Sequence, residues 1–306
     1  MANKKRRVRQ HWDDRLFDII NYSILVVLFF LFLYPVWFVL IASISDPSAV
    51  TNGEIVFLPD GFDFAGYKRV FQNKDVWIGY ANTIYYTVAG TFLNVAATAM
   101  AGYALSRRDL RGRGFILTLF IIPMYVSGGQ IPGYLNMKEL GLVNTRILML
   151  VMGLISMTNL IVCRTFFSTS IPWELHEAAF LDGASDFKVF SKVILPMAKP
   201  VLAVVTINHG VGHWNNYFTA LIYLKDEKLY PLQIFLRDIL LKTQIAGGAG
   251  GGMDDPDYII SMLLEQDIAN QMKYALIVVA TVPILAVYPW LEKYFQKGFT
   301  IGSVKG

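Results

Sequence analysis

Cysteine is nearly missing from this 306-residue chain. Cys163 stands alone, which excludes an intrachain disulfide and any cysteine-based metal cluster. Set inside an apolar run, it reads as a small packing residue. Charge is scarce too: Asp, Glu, Lys and Arg make up 16% of the residues, where a soluble globular chain carries about 25%. With 55% hydrophobic residues gathered in long runs, that deficit describes an integral membrane protein. No glycine-rich loop ends in Gly-Lys-Ser/Thr, so the nucleotide-binding motif is missing. No serine, cysteine or aspartate is framed by a base as a nucleophile would be. No acidic residue falls at the middle of an apolar run. An unpaired charge there would cost about 2.5–3.5 kcal/mol and would mark a proton or sodium pathway. These absences argue against an enzyme and against an ion-coupled secondary transporter. They favour a pore whose driving force is applied by another chain.

What is present is a series of six apolar runs: about 19–44, 80–105, 115–131, 146–167, 194–223 and 273–294. The first is longer than the roughly 7–15 residue core of a signal peptide and lacks a small-x-small cleavage site, so it reads as a retained span. Lys4, Lys5, Arg6, Arg7, Arg9 and Arg15 precede it, and Arg107, Arg108, Arg111 and Arg113 follow the second run. Basic flanks face the cytosol. Six spans with both termini inside satisfy every charge asymmetry, leaving 45–79 and 225–270 outside. The basic arm carries no recognition motif and ends at a bilayer segment, so a nucleic-acid partner is not expected. The chain divides into an arm (1–16), a first helix with its external loop (17–79), a core of five helices (80–295) and a tail (296–306). Glycines from Ala246 to Gly252 have the composition of a flexible connector. Asp254, Asp255 and Asp257 beyond them lack the spacing of an EF-hand.

One polar interruption reads as structured. In Ile171 to Pro200, Pro172 suits a first helical turn, and Glu174 and Glu177 favour the positive end of a helix. Gly183 can end that helix at positive φ, and Ser185 and Asp186 can cap a second. The predicted unit is a short helix, a glycine turn and a second helix leading into the membrane.

The pattern Glu177-Ala178-Ala179, Gly183, Val193, Leu195-Pro196 resembles the EAA loop of the membrane subunits of bacterial ATP-binding-cassette importers. Val193 replaces the usual isoleucine. Asp182, Ala184, Phe190 and Pro200, with Ala101 to Arg107, Gly141 to Thr145 and the tail Lys297 to Gly306, are similar to the sugar-permease branch, the maltose-type second permease in particular. The resemblance implies an all-α membrane protein of six transmembrane helices, a type I importer permease fold with a cytosolic coupling loop, in the bacterial cell membrane. It implies that Glu177, Ala178, Ala179, Asp182, Gly183, Leu195 and Pro196 couple the chain to an ATPase. The partners it implies are a second homologous permease, two ATP-binding-cassette ATPase subunits, an external solute-binding protein, membrane lipid and a carbohydrate substrate. ATP and Mg would be held by the ATPase subunits, with no cofactor on this chain. Similarity to permeases of pectin and alginate systems implies an oligosaccharide. An ion-coupled transporter, or an importer permease for a non-sugar solute, is the alternative.

Polar side chains gather in the fifth run: Asn208, His209, His213, Trp214, Asn215, Asn216 and Tyr217. His209 and His213 have zincin spacing, but Gly210 stands where the catalytic glutamate would be and no third ligand is near, so no metal site is expected. An aromatic plane beside amides suits a sugar, whose C–H face stacks while its hydroxyls are bonded. The same groups could instead satisfy hydrogen bonds between helices. Asn94, Gln130 and Asn159 are weaker candidates for the same path.

Overall fold

A computed structural model describes residues 12–246 and 256–302. All regular structure among them is helical. The arm before Trp12, most of the glycine connector with Asp254 and Asp255, and the last four residues lie outside the described residues. In chain order the helices are α1 (Trp12–Ile44), α2 (Pro47–Asn52), α3 (Ala65–Gln72), α4 (Lys74–Ser106), α5 (Arg113–Tyr125), α6 (Gln130–Glu139), α7 (Arg146–Val151) and α8 (Met157–Ser170). They continue as α9 (Glu174–Leu181), α10 (Asp186–Val189), a π-helical turn (Phe190–Ile194), α11 (Leu195–Met197), α12 (Lys199–Trp214), α13 (Phe218–Tyr223), a 3₁₀ turn (Glu227–Leu229), α14 (Leu232–Ala246) and α15 (Pro256–Gly302).

Among the described residues three helices are long and apolar enough to cross a membrane: α1, α4 and the 263–287 part of α15. A fourth span results if the pair Asp186–Met197 and Lys199–Trp214, bent by 84°, counts as one. The other apolar runs differ from the sequence reading for local reasons. The third stops at Tyr125 rather than at Ile131. The fourth is split because Gly153 takes φ +72° and the chain restarts after Ser156. The fifth is interrupted at Asn215 to Tyr217 between α12 and α13. The stretch read as a long polar loop, 225–270, instead holds α14 and the start of α15.

The bend near Ala198 has a chemical cause. Pro196 has no N–H to return to the carbonyl four residues back. The helix before it widens, and Leu195 N–H bonds the Phe190 carbonyl in π fashion.

The chain forms two compact units. One comprises the residues up to Val70 with 243–278, the other 71–242 with the chain from Val279 on. In the first, Gln271 is fully buried and holds three backbone groups: its Nε2 donates to the Ser45 and Asp63 carbonyls at 2.7 Å each, and its Oε1 accepts from Gly66 N–H at 2.6 Å. A Cβ at Gly66 would come within 2.9 Å of that amide oxygen, so glycine permits the approach.

The second unit is built around α4, and two apolar cores stand out among its described residues. Ala99, Tyr103, Cys163, Phe167, Ile194, Val201 and Val205 form one. Tyr86, Leu148, Met149, Ala220, Tyr223 and Ile234 form the other. Cys163 is fully buried, and a Cβ at Gly102 would sit 2.9 Å from its Cβ, which makes it the small contact residue between α4 and α8.

Candidate functional site

Between the two cores of the second unit lies a polar layer. His209 on α12 presents Nδ1 to the Asn94 amide of α4 at 3.1 Å and Nε2 to the Asn159 amide of α8 at 3.0 Å. Asn208 Nδ2 donates to Asn159 Oδ1 at 3.0 Å. Both contacts are to amide Nδ2 atoms, and a neutral imidazole accepts at one ring nitrogen only. Asn159 is held in its orientation by Asn208, so Asn159 Nδ2 donates to Nε2, and turning the Asn94 amide lets its partnerless Oδ1 accept from Nδ1–H. Asn94, Asn159 and His209 are all buried. The structure thus joins Asn159 and His209, which are far apart in sequence, as a link between three helices.

Along α4, Thr87 Oγ1, Thr91 Oγ1, Asn94 Oδ1 and Thr98 Oγ1 are buried and lack hydrogen-bond partners. Their spacing places them on one helical face. Thr87 and Thr91 border a groove of about 540 Å³ whose lining is mostly apolar, with Val88, Phe92, Ile207, Val211 and Val287 beside Trp214. The imidazole of His213 packs on Gly90, where a Cβ would come within 2.5 Å of Nε2. Trp214 Nε1 donates to the Ala280 carbonyl at 3.0 Å, and its ring meets Tyr80 edge-on at 6.1 Å. Asn215 and Tyr217 are exposed just past the end of α12, and Asn216 Oδ1 accepts from Thr219 N–H at 3.2 Å. Gln130 opens α6 and is exposed.

The loop segment is a separate feature of this unit. Helix α9 ends in a Schellman motif. Gly183 takes φ +73° and donates to the Phe180 carbonyl, and Ala184 N–H donates to the Ala179 carbonyl, at 3.0 Å each. Ser185 Oγ then caps α10 by accepting from Lys188 N–H at 3.4 Å. Glu177, Ala178 and Asp182 are exposed, and so are Leu181 at 89% and Phe187 at 73%. Leu195 is half-buried against the core that holds Tyr103 and Ile194, and Pro196 is exposed.

Sequence reasoning missed His176. It is buried between Trp173 and Tyr103, stacked at 4.7 and 5.8 Å. Burial, with the Arg107 guanidinium nearby, holds its pKa below the ordinary histidine value. A buried aromatic stack needs partners from distant segments, so a lone histidine beside the Glu-Ala-Ala string gave no signal.

Among the described residues, three helices of membrane-crossing length and composition define the class: an integral-membrane protein. The chain belongs to the binding-protein-dependent transport system inner membrane component family, which matches residues 1–301. It is 34% identical over 297 residues to the polygalacturonan/rhamnogalacturonan transport system permease protein YtcP of Bacillus subtilis (strain 168), covering 96% of this chain and 99% of that one. Protein LplC of the same organism is 36% identical over 292 residues, covering 95% and 96%. A solved bacterial ABC transporter involved in the import of the acidic polysaccharide alginate has a chain that superposes with a TM-score of 0.84 at 34% identity, covering 94% of this chain and 99% of that one. The protein is therefore a permease component of an ABC importer of the inner membrane, and the ion-coupled alternative is set aside.

Proposed function

We propose that this chain forms half of the translocation pathway of an ATP-driven, binding-protein-dependent oligosaccharide importer. It spans the membrane six times with both termini in the cytosol. A second homologous permease supplies the other half, two ATPase subunits hold ATP and Mg, and an external binding protein delivers the sugar. The observation that carries this reading is the loop from Glu174 to Ile194. It shows exposed Glu177, Ala178, Leu181, Asp182 and Phe187 around a fixed Gly183 turn, and leads through an 84° bend into α12. Apolar groups so exposed on a loop call for a protein partner. Ala178 and Ala179 permit close approach there. Leu195 and Pro196 join the loop to α12.

The sugar passes the open end of α12. Trp214 borders the groove, and Asn215, Asn216 and Tyr217 follow it, while Asn159, His209 and His213 stand behind them and hold the helices in register. An oligosaccharide is inferred from the relatives, whose names include polygalacturonan/rhamnogalacturonan and arabinooligosaccharides.

The test is reconstitution of the whole complex with its binding protein. ATP hydrolysis should rise only when that protein is loaded, and one of oligogalacturonate, oligoalginate or an arabino-oligosaccharide should load it. Stimulation by none of these, but by an amino acid or peptide, would overturn the carbohydrate reading. Labelling of an Asn3→Cys variant in a Cys163→Ser background by a membrane-impermeant reagent outside intact cells would overturn the topology.

A further inference from the structure

The cytosolic end of α4 is fastened to the loop at several points. Arg107, directly after α4, pairs with Asp186 at the start of α10 and with Asp109 of its own turn. Its Nε also donates to Asp109 Oδ1 at 2.9 Å. The guanidinium lies 5.5 Å from the centre of the Phe180 ring on α9, and its side chain is only 17% exposed. Hydrogen bonds from Arg107 hold Asp109 below the usual carboxylate range, and the same bonds raise the pKa of the arginine. Arg108 lies 5.9 Å from the Trp173 ring centre. Above them Tyr103 stacks on His176 and meets Phe190 at 5.1 Å. The guanidinium fork thus touches both sides of the Gly183 turn, Phe180 before it and Asp186 after it.

The covalent route from the loop to α12 passes a π-turn and an 84° bend. The non-covalent route through Arg107 enters the chain at the residue that caps α4, directly after Ser106, and α4 carries Gly90, Thr91 and Asn94. We propose that Arg107, through Asp186 and Phe180, is a positioning residue that makes the loop and α4 move as one body, so that displacement of the loop reaches the Asn94–His209 layer through α4. This rests on the importer reading above. Asp109 serves as an internal control, because its hydrogen bonds and ion pair with the guanidinium stay within one turn and its link to the loop is only the electrostatic one to His176.

The experiment uses the full complex in proteoliposomes with loaded binding protein, taking as solute the oligosaccharide that loads it. Solute transported per ATP hydrolysed is measured for wild type, Arg107→Gln, Asp186→Ala, the double variant and Asp109→Asn. Arg107→Gln and Asp186→Ala should each lower the ratio about fivefold or more, the low end of typical coupling between sites, while hydrolysis stays stimulated. The double variant should be no worse than the worse single one, and Asp109→Asn should keep most of the ratio. Should Arg107→Gln fail to assemble, Asp186→Ala decides, since its carboxylate is exposed at 65%. An unchanged ratio in Asp186→Ala, additive losses in the double variant, or an equal loss in Asp109→Asn would overturn the proposal. A wild-type complex that hydrolyses ATP without transport would sink the importer reading instead, and this proposal with it.

Discussion

The hydroxyl of Tyr80 donates at 2.9 Å to the carbonyl oxygen of Val279. That carbonyl lies four residues before Pro283, which has no N–H to return to it. Trp214 Nε1 bonds the next carbonyl, that of Ala280. Two aromatic side chains therefore serve the backbone where proline opens α15. In a membrane no water can replace them.

Tyr80→Phe should therefore destabilise the permease by about 1–3 kcal/mol, the cost of leaving a buried acceptor unpaired. Pro283→Ala restores the N–H, so the same tyrosine change should cost much less in that background. Thermal unfolding of the purified complex in detergent, run as a double-mutant cycle, measures this. Equal costs in both backgrounds would show that the Val279 carbonyl is not the reason for the tyrosine.

Gly90 sets the distance between α4 and α12. A Cβ there would lie 2.5 Å from two atoms of the His213 ring, closer than contacting atoms sit. Gly90→Ala should cost about 1–3 kcal/mol through overpacking, and His213→Ala should recover much of the loss by vacating the space. If the second change adds to the first instead, the two residues do not share that contact in the assembled permease.

Trp214 is both a helix staple and a wall of the groove, and two substitutions separate those roles. Trp214→Phe keeps an aromatic plane but loses the bond to Ala280, so it should weaken stability by about 0.5–1.5 kcal/mol and preserve most transport. Trp214→Ala should abolish most transport at limiting solute while the complex still assembles and keeps basal ATP hydrolysis. Normal transport by Trp214→Ala would remove it from the sugar path.

At the loop, Gly183→Val forces a branched side chain into φ +73°, a strain of about 1–2 kcal/mol. Nothing lies within 4 Å of the added Cβ, so the effect is conformational and not a clash. Glu177→Lys reverses an exposed charge in the first turn of α9. Both variants should insert and pair with the second permease, yet bind the ATPase weakly or lose stimulation by loaded binding protein. If both keep wild-type stimulation but lose transport, the loop is not the coupling element.

Much of this was legible in the chain itself, because local rules govern it. Charge scarcity and long apolar runs gave the membrane class. The spacing from Glu177 to Pro196 pointed to the family, and Gly183 announced a positive-φ turn that α9 does use. The runs at 146–167 and 194–223 each hold more than one helix, since hydropathy is blind to breaks at Gly153 and Asn215 within apolar sequence. Sequence could list the polar residues of the fifth run but not their partners. Hydrogen bonding is a matter of which atoms lie within about 3 Å. Only packing brings Asn94 and Asn159 to either side of His209, sets His213 on Gly90, and carries Arg107 across to Asp186. Those pairings join residues 50 to 123 positions apart, and no local spacing encodes them.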